Sequence, residues 1–297
     1  MPRTIKKGIL FVMSFPQTSK TLIFRVVTEG NERDWHRFLS DYWLPVCRFA
    51  QQRAKLGIND AEDVASETFE AILRNKLLER WAFDRSSKLR TLLCTVVRHV
   101  LGNRARVQKG RQRLLSEKAV ELVGRGDLPT IKSMDEPAEY IDQFYAAWVE
   151  GILLQAVEAL MAEYHQTGKG DYFRVLHGRV CEQMSNPQIA KALGIKTTDA
   201  ENYYKAARKR LAARLQELVD EHTRRYCQPQ EADDEFNCEW SGIGQYLNEH
   251  GGLERAITKV YESTAPVEVA QRQTQAVTAT LRRLTQALPR VPDVPAE

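Results

Sequence analysis

Four carboxylates, Asp60, Asp63, Glu67 and Glu70, recur at spacings of three, four and three within "NDAEDVASETFEAIL", residues 59–73. On a helix this spacing lines them along one face. Ala61, Val64, Ala65, Thr68 and Ile72 then form the adjoining buried face. Beyond being a solvated surface, such a stripe can do two things. It can dock a basic protein partner, because complementary charge fixes register and speeds encounter. It can also hold Mg²⁺ for phosphoryl transfer on a nucleic acid. The second use is the weaker one, since carboxylates strung along one helical face do not converge on a point.

A tract of opposite charge follows. From Arg85 to Ser116 the chain has nine Lys or Arg and no Asp or Glu, although acids and bases nearly balance overall, 39 against 43. Leu89, Leu92, Leu93, Val96 and Val100 give this tract one apolar helical face. Thr91, Thr95, Arg98 and Arg106 fall on the other side, which predicts a basic, hydroxyl-bearing surface. Such a surface neutralises phosphates and releases counterions.

A third constellation lies in "MSNPQIAKALGIKTTDAENYYKAARKRL", residues 184–211. Ser185 with Gln188 is a capping-box pattern, and Pro187 suits a first helical turn. Gly194 supplies the left-handed residue that ends this short helix. Thr197 or Thr198 then caps a second helix, with Glu201 completing a box after Thr198. Ala200, Tyr204, Ala207 and Leu211 make its buried face. Thr198, Asn202, Lys205 and Lys209 lie opposite, where a helix in the major groove presents side chains to bases. The outline is a helix-turn-helix.

Helical periodicity dominates the elements that must position these groups. The patterns predict helices at 31–54, 60–79, 87–107, 138–165, 170–183, 185–193 and 198–222, and no strand alternation persists. Residues 123–137, "VGRGDLPTIKSMDEP", read as a linker. After Cys227 the stretch "QPQEADDEFNCEW" is acidic and contains Pro229. Further on, Ala270, Val277, Leu281, Leu284 and Leu288 mark one amphipathic helix, and "PRVPDVPAE" reads as a disordered tail. The five cysteines are scattered, with no C-x-x-C pair, which argues against a zinc site or disulfide framework and suits a reducing cytosol. No apolar run approaches the roughly 20 residues of a membrane span.

Taken in order, "NDAEDVASETFEAIL", "FDRSSKLRTLLCTVVRHVLGNRAR", a linker and the helix-turn-helix resemble a bacterial sigma factor of the sigma-70 type, extracytoplasmic-function group. The resemblance runs from about Thr28 to about Arg225, and it extends to a subgroup that carries a C-terminal extension. It implies an all-α fold of two helical domains joined by a flexible linker. Residues 1–27 would be an N-terminal extension, 28–114 sigma region 2, 115–137 the linker, 138–225 sigma region 4, and 226–297 a partly disordered C-terminal extension. "MSFPQTSKTLIFRVV", beginning at Met13, resembles the family's usual start, which would make residues 1–12 an upstream addition.

The resemblance also assigns roles. Asp60, Asp63, Glu67 and Phe69 would bind core RNA polymerase through the clamp helices of its β′ subunit, with the β subunit as a further contact. Arg85, Ser86, Lys88, Arg90, Thr95, Arg98, His99, Asn103 and Arg106 would lie near the −10 promoter DNA. Thr198, Asn202, Lys205 and Lys209 would read the −35 element. An anti-sigma factor or a kinase is a further candidate partner. The chain would be cytoplasmic, with no catalytic residue, metal ligand or cofactor. Leu92 stands where the family usually has a Trp, so strand capture would rest on arginine planes or His99. Glu201 replaces a basic residue, which implies an unusual −35 sequence. Three other classes remain open from the residues alone: a helix-turn-helix regulator acting without polymerase, a metal-dependent nuclease built on the acidic stripe, and an anti-sigma-like or scaffold protein with no DNA affinity.

Overall fold

The computed structural model describes residues 22–83, 88–116, 137–262 and 266–287. Arg85 and Ser86, the linker from residue 117 to 136, residues 1–21 and the tail from residue 288 lie outside them. The described residues form α1 (Leu22–Thr28), α2 (Glu32–Ala54), α3 (Ile58–Arg74), α4 (Leu77–Phe83), α5 (Leu89–Ser116) and α6 (Ala138–Gln166). These are followed by α7 (Gly170–Val180), α8 (Asn186–Leu193), α9 (Thr197–Tyr226), α10 (Ala232–Glu249), α11 (Gly252–Glu262) and α12 (Pro266–Ala287). The protein is all-α, with no strand among the described residues.

Local chemistry explains most of the boundaries. Asn31 caps α2, its side-chain oxygen accepting from the Asp34 N–H at 2.8 Å. The helix expected over 60–79 is instead two. Asn75 closes α3 by donating its side-chain amide to the Ala71 carbonyl at 2.8 Å, and Lys76 turns the chain left-handed at φ 53°. The acidic stretch after Cys227 is also helical. Asp233, Asp234 and Glu235 fall in the first turn of α10, where the helix dipole favours negative charge. Ile243 and Tyr246 then supply its buried face. The C-terminal extension, expected to be partly disordered, is therefore three helices over its described part.

One core runs through both halves of the chain. α2 packs against α3, α6 and α12, while α9 packs against α6, α7, α8 and α10. Phe144, Trp148, Leu153, Leu154 and Leu160 of α6 share a continuous cluster with Phe38, Phe49, Phe69 and Leu93 from before the linker. This differs from the expected pair of separate helical domains: the stretches on either side of the linker bury one another. Periodicity shows that a helix has an apolar face, not which element covers it. α6 carried the clue, being apolar on nearly all sides, as a helix enclosed by its neighbours must be. By length and composition it is apolar enough to cross a membrane, but 67% of its apolar window is buried inside the protein.

Polar groups pin the seam between α2 and α6. Arg48 donates to Glu150 at 3.1 Å, both side chains 7% exposed. Glu150 also accepts from the Tyr246 hydroxyl of α10 at 3.2 Å and pairs with Lys259 of α11 at 2.8 Å. Breaking a buried pair on one side costs about 3–5 kcal/mol where the other charge is left alone, and less for Arg48, because Lys259 and Tyr246 still hold Glu150. Nearby, the His222 ring of α9 packs against Tyr42 of α2 at 5.6 Å and Trp148 of α6 at 5.2 Å. Its Nε2 lies 3.2 Å from the Tyr42 hydroxyl. Asp41 takes hydrogen bonds from Arg225 at 2.5 Å and Tyr226 at 2.8 Å, closing the same junction.

This junction predicts an acid-sensitive fold. Burial pushes the His222 pKa down to about 4, against a partial upward pull from Asp41. A pKa below the unfolded value of about 6.5 means that folding favours the neutral ring. The stabilisation is complete above about pH 6.5 and is lost as pH falls towards about 4. Because the residue keeps some solvent contact, the expected loss is about 2 kcal/mol, less than the whole shift implies. Urea denaturation between pH 7 and pH 4 should show that His222→Gln flattens this part of the wild-type profile.

Candidate nucleic-acid and partner surfaces

The acidic stripe forms as a surface. Asp60, Asp63 and Glu67 of α3 are exposed and Glu70 is half-buried, while Ala61, Val64, Ala65, Thr68 and Ile72 are buried behind them. Arg104, on the neighbouring α5, lies along the stripe. It donates to both oxygens of Glu67 at 2.8 and 3.0 Å and reaches Asp63 at 3.9 Å. Asp63 keeps 71% of its side chain exposed and Glu67 48%. Phe69 does not belong to this surface. It is fully buried, edge-on to Phe38 at 5.7 Å and stacked on Trp43 at 5.9 Å, and so cannot meet a partner. The resemblance gives it a partner-binding role, whereas its place four residues after the buried Ala65 puts it on the core face. Among the described residues no three His, Cys, Asp or Glu side chains are grouped to hold a metal ion.

The basic tract departs further from expectation. Residues 91–97 of α5 are buried on every side, because α2, α3 and α6 all pack against this helix. Thr91 and Thr95 are therefore interior, and the Thr95 hydroxyl donates to the Thr91 carbonyl at 2.9 Å. Neither offers a hydroxyl to DNA. Arg98 stacks over the Tyr140 ring at 4.3 Å. His99 and Asn103 are half-buried, and Arg106 is exposed. Burial, reinforced by Arg98 and Arg106, lowers the His99 pKa. The open basic face thus begins at Arg98, not at the start of the helix.

The first two described cations of the tract are covered by the C-terminal extension. Lys88 pairs with Glu235 at 2.8 Å and Glu239 at 3.3 Å. Arg90 donates to both oxygens of Glu239 at 2.7 Å, and its guanidinium lies over Tyr145 at 4.6 Å and Trp148 at 5.4 Å. Burial works against the Glu239 carboxylate, but Arg90 and Lys88 outweigh it and hold its pKa below the usual value. Sequence reasoning missed Glu235 and Glu239. Their four-residue spacing in an acidic run was the available signal.

The helix-turn-helix is built as the sequence predicts, with one difference. Gln188 accepts from the Ser185 N–H at 2.8 Å to complete the capping box of α8. Gly194 sits at φ +67°, and the Ile195 N–H returns to the Ala190 carbonyl at 3.0 Å. Val175, Ile189, Ala190 and Ala200 form a small core of their own beneath the turn. The cap of α9, however, is Lys196 without a side-chain hydrogen bond, so neither Thr197 nor Thr198 closes the expected box. Both are exposed instead. Ala200, Ala207 and Leu211 are buried, Tyr204 is half-buried, and Thr198, Asn202, Lys205 and Lys209 all face outward. At 30 residues α9 is about 45 Å long. Its first turns carry the outward face, and its far end is the seam around His222.

α11 flanks this surface. Glu254 accepts from Arg208 at 2.5 Å and from the Tyr204 hydroxyl at 3.1 Å, and Leu253 lines a shallow recess with Lys205, Arg208 and Lys209. The remaining expected DNA-facing groups, Arg85 and Ser86, lie outside the described residues. Comparison with protein-family models, curated proteins and solved structures yields no match.

The turn geometry gives a direct test. No heavy atom lies within 4 Å of the position a Cβ would take on Gly194, so any cost of adding one comes from the backbone alone. Gly194→Val should lower stability by about 1–2 kcal/mol in a denaturation experiment. Gly57→Ala, at an open position with negative φ, should cost less.

Proposed function

We propose that this chain is a promoter-recognition subunit of the sigma-70 type, extracytoplasmic-function group, acting in the cytoplasm without chemistry of its own. The observation that supports the reading is one continuous core carrying two exposed faces of different character. The Asp60–Asp63–Glu67 face of α3 is acidic and suits a basic helical surface such as the β′ clamp helices of core RNA polymerase. The Thr198–Asn202–Lys205–Lys209 face of α9 follows a helix-turn-helix and suits the major groove at a −35 element. Lys88, Arg98, His99, Asn103 and Arg106 form the accessible part of the −10 surface, with Lys88 shared with Glu235 and Glu239 and Arg90 reaching DNA only if α10 withdraws. Phe69, Thr91 and Thr95 have no place in it.

A helix-turn-helix regulator that ignores polymerase is the rival. It accounts for α9 and leaves the exposed carboxylates of α3 without a role. Asp63→Lys with Glu67→Lys separates the two. Both positions are substantially exposed, so the helical content should persist. Co-purification with core polymerase should be lost, whereas retained co-purification would refute the docking surface.

The reading face has its own test. Asn202→Ala should relax discrimination at one base of the −35 element by about 1–3 kcal/mol if its contact is bidentate. Lys209→Ala should weaken binding to every sequence alike and reduce the salt slope by about one phosphate contact. A binding selection on randomised sequences at two salt concentrations distinguishes them. Identical behaviour of the two variants would mean that α9 does not lie in the groove.

A further inference from the structure

Besides Lys259 on Glu150 and Asp233 on Arg224, the C-terminal extension meets opposite charge on each of the three tracts singled out in the sequence. Glu235 and Glu239 of α10 hold Lys88 and Arg90 at the start of α5. Glu254 of α11 holds Arg208 on the recognition helix. On the far side, Arg272 of α12 binds Glu62 at 2.6 Å and also contacts Asn59, and Arg283 reaches Glu70 at 3.4 Å. So α10 and α11 present acids to the basic elements, and α12 presents arginines to the acidic one.

We infer that residues 232–262 act as an internal mimic of the DNA backbone, holding the promoter-binding cations closed until nucleic acid displaces them. The inference rests on the promoter-recognition reading and adds its regulation. Glu239 places two carboxylate oxygens on Arg90 as a phosphate would, with Tyr145 and Trp148 behind the guanidinium. Arg90 is only 16% exposed, so phosphate and Glu239 cannot hold it together. Lys88 lies between two carboxylates and is likewise occupied. The fit of α10 depends on shape as well as charge. A Cβ on Gly242 would stand 2.5 Å from the Tyr145 hydroxyl, so a larger residue there displaces α10 or the Tyr145 ring that backs Arg90.

Two full-length variants test the inference by different routes. Glu235→Gln with Glu239→Gln and Glu254→Gln removes the mimic charges. Gly242→Leu keeps net charge unchanged and wedges α10 off Tyr145. Binding of a fluorescent DNA duplex of arbitrary sequence is measured against salt, alongside co-purification with core polymerase. Both variants should bind the duplex about tenfold more tightly than wild type at low salt, with a slope steeper by about two as cations are released to phosphates. Polymerase co-purification should not change, because the exposed carboxylates of α3 are untouched. If wild type and both variants bind DNA equally, with equal slopes, the mimic is refuted while promoter recognition stands. A gain in the charge variant alone also refutes it, since lower negative charge then suffices. If no form binds DNA or polymerase, the underlying reading fails together with the inference.

Discussion

The seam between α2 and α6 is the constraint from which the rest of the architecture follows. Arg48 and Glu150 are both almost completely removed from water, and each is tolerable there only because of the other. Glu150 extends the dependence to Tyr246 and Lys259, so α10 and α11 are tied to the same carboxylate. The apolar packing of Phe49 on Phe144 sets the helix separation, and the ion pair sets the register. A shift of α6 by one turn would pull Glu150 away from Arg48 and break a buried ion pair. That is a strong reason for the two halves of the chain to keep one arrangement.

A fixed seam has a geometric consequence for function. α9 is a single long helix, with its outward reading face at one end and His222, Arg225 and Tyr226 at the other. The reading face is thereby linked to α3 through α6 and α2, each packed on the next. On the proposed reading, spacing between polymerase contact and promoter contact is built into packed helices rather than left to the linker. The extension completes this arrangement by matching charge to charge on α3, α5 and α9, which explains how a nearly balanced protein holds such segregated tracts.

Much of this was legible in the sequence where a single element carried the information. The acidic stripe on α3, the capping box at Ser185, the left-handed Gly194 and the outward face of α9 all follow from spacing within one helix. What failed depended on contacts between elements. Thr91 and Thr95 looked available because periodicity assigns one buried face, whereas α5 is enclosed on several sides by other helices; Phe69 took its expected role from the family resemblance alone. The single core across the linker was hidden for the same reason. Glu235, Glu239 and Glu254 act on residues about 150 and 46 positions away, and no local pattern specifies such a pairing.

Promoter-dependent initiation is the most direct measurement of the central claim. The purified chain is mixed with core RNA polymerase and fragmented genomic DNA, and the 5′ ends of the transcripts are mapped. Discrete start sites that appear only with the added protein, share an upstream sequence and vanish with Asp63→Lys plus Glu67→Lys are expected. Start sites unchanged by adding the protein would contradict it.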